Sequence, residues 1–280
     1  MGDKILKLGD QGPAVAEAQD LLNRDGALLL DDGKFGAGTA AAVREFRAAR
    51  KLPDSGDIDA ALWAQLRLLP LPNASIPTRA VAFIAREEVS SRSYYAQFCA
   101  RPSWPGGASG VTLGVGYDLG YQADFERDWA DQFSAAQIAR LKKWVGIKGA
   151  PAKAAIAPLA DVSVPWHAAW EGYVRRTLPQ EVKSTVSTFV VPPATAALPP
   201  LCLGVLVSLV YNRGAGMIDN SPNDPRKEMR QIRDAVAQGK FAQVPDAIRS
   251  MRRLWPAGNG LRARREREAE LFEVGLAQAQ

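Results

Sequence analysis

The stretch Ser109–Gly120, SGVTLGVGYDLG, decides how this chain is read. It follows Pro102, Pro105, Gly106 and Gly107, residues that exclude a helix and predict a loop. From Val111 the pattern alternates as in a strand or a hairpin. On strand periodicity Thr112, Gly114, Gly116 and Asp118 share one face, polar at its ends and bare in the middle. Glycines inside such a run weaken it, and they often mark where a ligand must approach the backbone.

Upstream, Thr78–Val89 (TRAVAFIAREEV) reads as a helix with Val81, Ile84, Ala85 and Glu88 in register. A carboxylate continuing an apolar stripe belongs at the edge of a core, and partial burial raises a glutamic acid's pKa. Glu87 points about 100° away on helical geometry. One helical and one loop-borne carboxylate beside exposed backbone form the pair that acid–base cleavage of a glycosidic bond requires. Downstream, apolar periodicity predicts helices near 134–145, 166–177, 200–212, 226–238, 241–254 and 260–276. The last carries Arg262, Arg264, Arg265 and Arg267. One inward arginine there is a candidate to hold a catalytic carboxylate.

Residues 1–70 follow a different pattern. Pro13 opens a helix at its preferred first position and Gly26 ends it, with Val15, Ala18, Leu21 and Leu22 along one side. Asp31-Asp32-Gly33 is a turn. A second helix near Thr39 carries Ala42, Val43 and Phe46, and a third, opened by Asp59, carries Leu62, Trp63 and Leu66. The spacing of Gly33–Thr39 recurs at Gly56–Leu62, as expected of two turn-plus-helix units forming a small three-helix module. Residues 71–77, rich in proline, read as a linker, leaving 78–280 as a second domain. The fold class expected is mainly α, with a small β-hairpin region (α+β).

Composition excludes several chemistries. The chain has 280 residues, 35 Lys plus Arg against 30 Asp plus Glu, two cysteines and one histidine. Cys99, Cys202 and His167 are too few for the usual zinc site, so neither a metal nor an organic cofactor is expected. His167 has no nucleophile motif near it and reads as a partly exposed helix residue. Cys99 and Cys202 read as small core residues or an incidental pair. A formal charge of +5 suits polyanionic partners without choosing among them. The N-terminus lacks the apolar core of a signal peptide. The run Leu198–Tyr211 is too short to span a bilayer. The expectation is a monomer made in the cytoplasm, with no nucleic-acid partner and no membrane insertion, which acts outside only if another system releases or delivers it.

Two resemblances sharpen this reading. Leu8-Gly9, Gly12-Pro13-x-Val15, Gln19-x-x-Leu22 and Asp32-Gly33-x-Phe35-Gly36-x-x-Thr39-x-x-Ala42-Val43-x-x-Phe46 resemble the peptidoglycan-binding domain 1 family, with Arg47 where members usually carry Gln. Residues 78–276 resemble the phage-type lysozymes of glycoside hydrolase family 24, most closely the pesticin-like branch. The blocks are Phe83-Ile84-x-x-x-Glu88, Trp104 through Gly120, Leu206–Gly214 (LVSLVYNRG) and Gly260-Leu-x-x-Arg264-Arg-x-x-Glu268-x-x-Leu271-Phe272. Val89 stands where many relatives have Gly.

The resemblance implies a muramidase cleaving the β-1,4 bond between N-acetylmuramic acid and N-acetylglucosamine. Its acid falls on Glu88, and Asp118 with Thr112 positions water for an inverting attack. Trp104, Gly114, Gly116, Tyr117 and Asn212 would contact substrate, and Arg264 would support the site. Bacterial peptidoglycan is the implied partner, and the implied role is that of a phage endolysin. The alternatives are an antibacterial toxin with the same activity and a cognate immunity protein, a lytic transglycosylase, and an inert wall-binding protein.

Overall fold

A computed structural model describes residues 5–189 and 198–279. The fold is mainly helical, with one two-stranded antiparallel sheet. The chain divides into two compact units, one comprising 1–72 and 85–177, the other 73–84 and 178–280. These units do not follow linear order. Residues 1–72 group with 85–177, and the helix α4 (Thr78–Val89) contributes residues to both units.

The first unit begins with three helices, α1 (Pro13–Arg24), α2 (Ala37–Ala49) and α3 (Ala60–Arg67). Their apolar stripes meet in one core built around Val15, Leu22, Phe35, Val43, Phe46, Ile58, Trp63 and Leu66. An antiparallel bridge from Leu6 to Ile58 ties the chain start to the entry of α3. Buried Gln19 joins the turn to the helices. Its amide donates to Asp32 Oδ1, the Lys34 carbonyl and Thr39 Oγ1, and its carbonyl oxygen accepts from Gly33 N–H at 2.9 Å. Arg47 is buried and donates from Nη2 to the Asp57 carbonyl and to Asp59 Oδ2 at 2.8 Å. Asp59 in turn caps α3 by accepting from Leu62 N–H. Arg47 therefore holds α2 to the cap of α3.

The rest of this unit contains the strands β1 (Thr112–Leu113) and β2 (Tyr117–Asp118) and the short helices α5 (Phe125–Trp129), α6 (Ala135–Lys142), α7 (Ala150–Ala154) and α8 (Trp166–Gly172). A turn of helix at Arg92–Tyr94 runs into a π-helix, Tyr95–Cys99. Helix α8 also extends into a π-helix, Tyr173–Thr177. Tyr117, Trp129 and Phe133 form an aromatic core, with ring centroids 5.3 Å and 5.2 Å apart. The three-helix module packs on α8. Trp166 Nε1 donates to the Gly26 carbonyl at 2.9 Å and Trp170 Nε1 to the Arg24 carbonyl at 3.2 Å. A Cβ on Gly26 would lie 2.8 Å from the Trp170 ring, and its φ is +79°. Gly26 thus ends the helix and also admits the indole.

The second unit gathers α9 (Leu178–Phe189), α10 (Pro200–Arg213), α11 (Lys227–Ala237), α12 (Val244–Ser250) and α13 (Gly260–Ala277). Helix α10 is buried almost all round, as its apolar run requires, and packs against α13 and α9. The helix α9 was not anticipated. Pro179 is its second residue, and the helix continues without a break from the π-helical turn Tyr173–Thr177.

Candidate active site

The Ser109–Gly120 stretch folds as a hairpin, with Thr112 directly opposite Asp118 and Leu113 opposite Tyr117. This corrects the single-face strand reading. Gly114 (φ +55°) and Gly116 (φ +77°) occupy the turn in the left-handed region, so the turn itself explains both glycines. A Cβ on Gly114 would sit 3.2 Å from Ala169, against α8, whereas Gly116 is exposed.

Thr112 and Asp118 still come together, now across the ladder. The Asp118 carboxylate accepts from Gly110 N–H at 2.9 and 3.0 Å and from Gly120 N–H at 2.8 Å. It caps the short 3-10 turn Leu119–Tyr121. The two donors have to be glycines. A Cβ on Gly110 would lie 2.4 Å from Asp118 Oδ1, and one on Gly120 would lie 3.0 Å from it. These fixed donors orient the carboxylate without a cation, and Asp118 remains half-buried. Beside it the Thr112 hydroxyl oxygen is buried and has no hydrogen-bond partner among the described residues. Sequence reading missed Gly110 and Gly120 as donors. The Asp-x-Gly spacing of 118–120 is the signal, since aspartate commonly accepts from the N–H two residues on.

Glu88 is half-buried near the end of α4, in the same compact unit as the hairpin. Glu87 is half-buried too. Ala80 through Ala85 are all buried, so this helix has no simple apolar stripe and register alone does not separate the two glutamates. The helix ends at Val89, and the next residue, Ser90, has a φ of +59°.

Tyr117 is not a substrate contact. It is 1% exposed, and its hydroxyl donates to Asp128 Oδ2 at 2.8 Å. Burial and the Asp128 carboxylate push its pKa far up. The resemblance implied a contact, but Tyr117 alternates with Asp118 and falls on the opposite, core-facing side. Trp104 is half-buried and donates from Nε1 to the Ser109 carbonyl, buttressing the loop that supplies Gly110. Around this loop, Tyr121 donates to the Ala108 carbonyl, and the Lys148 ammonium lies 3.4 Å from the Tyr121 ring centroid.

Asn212 and Arg264 lie in the second unit. Arg264 Nε donates to Glu268 Oε1 at 3.1 Å and Nη2 to the Ser208 carbonyl and hydroxyl. Arg265 Nη2 donates to Glu268 Oε1 at 2.9 Å and to Asn212 Oδ1 at 3.2 Å. Arg265 Nε stands 2.8 Å from Glu268 Oε2, an ion pair without hydrogen-bond alignment. Ser208 donates to Glu268 Oε1 at 2.6 Å. Burial pushes the Glu268 pKa up, while both arginines and Ser208 pull it down. Sequence reading singled out Arg264 and missed the buried network to which it belongs.

Among the described residues no cluster of His, Cys, Asp and Glu is arranged to hold a metal ion. His167 is exposed on α8, and Cys99 and Cys202 are free thiols. No helix of the described residues is long and apolar enough to cross a membrane.

No curated protein matches the chain. A solved structure described as "Crystal structure of Burkholderia AP3 phage endolysin" aligns over 99% of this chain and 100% of that one, at 18% identity and a TM-score of 0.23. At that TM-score the likeness carries no argument about fold or activity. Residues 11–66, which enclose all three helices of the small module except the last residue of α3, match the family described as "Putative peptidoglycan binding domain".

Proposed function

We propose that this protein is a modular peptidoglycan hydrolase with the activity of a muramidase. Residues 1–70 anchor it to the wall, and the fold that follows cleaves the β-1,4 bond after N-acetylmuramic acid. Glu88 protonates the leaving oxygen. Asp118 activates water on the opposite face, and Thr112 donates or accepts a hydrogen bond to position it. Inversion requires the two carboxyl groups to stand roughly 6.5–9.5 Å apart, leaving room for that water. The observation that carries this reading is the pairing of Thr112 with Asp118 across a half-exposed hairpin, with the carboxylate preoriented by backbone donors and the threonine hydroxyl unspent. Such preorientation removes reorganisation from the chemical step. Anchoring raises the local concentration of an insoluble substrate. Release of a phage from its host is the role that fits this combination.

One observation favours a second reading. Two backbone N–H groups already occupy the Asp118 carboxylate. If that occupation is its whole purpose, Glu88 acts without a water-activating partner and the enzyme is a lytic transglycosylase. Digestion of purified peptidoglycan, followed by borohydride reduction and mass spectrometry, separates the two. A muramidase releases muropeptides with reducible N-acetylmuramic acid, and a transglycosylase releases 1,6-anhydro ends. Glu88→Gln is expected to lower release by about 10²–10⁴-fold, the usual contribution of a general acid. Undiminished release from Glu88→Gln would remove Glu88 from the mechanism.

A further inference from the structure

A cleft of about 650 Å³ lies within the first compact unit, between the three-helix module and α8. That volume lies within the range of small-molecule sites, roughly 300–1,000 Å³. Its apolar walls are the half-buried Trp166 with the largely buried Trp170 on one side and, on the other, Phe46, whose ring is covered by the Arg50 guanidinium at 3.5 Å. Both indole N–H groups are spent on carbonyls of the module, at Gly26 and Arg24. The indoles are thereby fixed in place, and what they offer the cleft is carbon surface. Their centroids stand 6.0 Å apart.

The polar groups come as pairs. Arg50 donates from both Nη atoms to the two carboxylate oxygens of Asp25, at 3.1 and 3.0 Å. Arg92 pairs with Glu45 at 2.5 Å. Glu171 adds a carboxylate, paired with Arg175 outside the lining. The lining thus holds three carboxylates, Asp25, Glu45 and Glu171, against two guanidiniums, Arg50 and Arg92. Each of the three carboxylates is ion-paired, so the lining is balanced in charge. It suits a neutral ligand whose groups both donate and accept hydrogen bonds and whose flat faces are C–H. A pyranose bearing hydroxyl and acetamido groups answers that description.

We propose that this cleft is a second glycan-binding site, built jointly by the wall-binding module and α8, which takes the neutral amino-sugar backbone of peptidoglycan. The proposal deepens the wall-binding reading and rests on it. It places determinants of binding at Trp166, Trp170 and Glu171, outside residues 11–66.

His167 lines the cleft and is the only histidine, so in untagged protein its imidazole resonance reports on this site alone. The probe is chitotetraose, titrated into Glu88→Gln. The His167 resonance is expected to shift saturably, and the apparent Kd to rise about tenfold or more in Ala49→Arg, which fills the cleft from the exposed side of α2. Glu171→Ala, an exterior truncation that leaves the packing intact, is expected to move it in the same direction, and far-ultraviolet circular dichroism checks that both variants fold. An unmoved resonance, or equal binding by both variants, overturns the proposal. A response to free stem peptide in place of chitotetraose overturns the choice of ligand and with it the proposal. Reducing-end products from the wild-type digest are read separately, so loss of muramidase activity and loss of this cleft remain distinct outcomes.

Discussion

Asp118 and Glu268 are two carboxylates held in opposite ways. Asp118 sits in a hairpin, half-exposed, and its anchors are the N–H groups of Gly110 and Gly120. Glu268 sits in α13, fully buried, and its anchors are Arg264, Arg265 and the Ser208 hydroxyl. Backbone donors bring no counter-charge and leave part of the carboxylate's surface open to a reactant. Two guanidiniums neutralise a carboxylate and enclose it. Asp118 is therefore held in place while part of it stays reachable, and Glu268 is enclosed by its partners.

The comparison breaks most decisively at Glu268. Glu268→Ala strands two buried guanidiniums, and thermal or urea unfolding is expected to show a loss of about 3–5 kcal/mol, as when one partner of a buried ion pair is removed. A loss below 1 kcal/mol would mean that the network is dispensable. Next comes Asp118→Asn. Its amide group turned toward Gly110 or Gly120 would oppose donor to donor, costing about 1–3 kcal/mol of stability. Muropeptide release should fall far more steeply than stability does. A parallel decline in the two would assign Asp118 to structure alone.

Gly110→Ala is expected to cost a similar amount, about 1–3 kcal/mol, because its Cβ would collide with Asp118 Oδ1 and Gly120 N, both 2.4 Å away. Circular dichroism melts of this variant test whether the glycine serves the carboxylate or merely the loop. Smaller still is Asp59→Ala, which removes the side-chain cap of α3, at about 1 kcal/mol, together with a half-exposed partner of Arg47. Asp59 also supplies the pH test. The Leu62 N–H and the Arg47 guanidinium hold its pKa below the ordinary value. Its contribution is therefore present above that ordinary value and lost as pH falls through the lower, folded one. The wild type should lose stability on acidification more steeply than Asp59→Asn does; equal slopes would remove Asp59 from the acid response.

Much of the architecture was legible before any coordinates. Helix periodicity located α1 to α3 and α10 to α13 because each has a strong apolar pattern or a clear cap. It missed α9, where Pro179 masks a helix that continues directly from a π-helical turn. Alternation set Tyr117 on the face opposite Thr112 and Asp118, but it does not say which face is wet, and that face is the core. Glycine spacing showed that the backbone of 109–120 was special, but it did not show that Gly110 and Gly120 serve as donors to Asp118.

Local chemistry, then, is what the sequence determined by itself: turns where glycine takes positive φ, caps where aspartate meets a free N–H, and the match of 11–66 to a peptidoglycan-binding family. Tertiary structure alone decided which distant residues share a surface. It set Thr112 across from Asp118, Arg265 on Glu268 and Asn212, and Trp166 and Trp170 on the carbonyls of Gly26 and Arg24. The physical reason is range. Backbone preferences and capping bonds act over a few residues, whereas burial and ion pairing act through space and have no fixed separation along the chain.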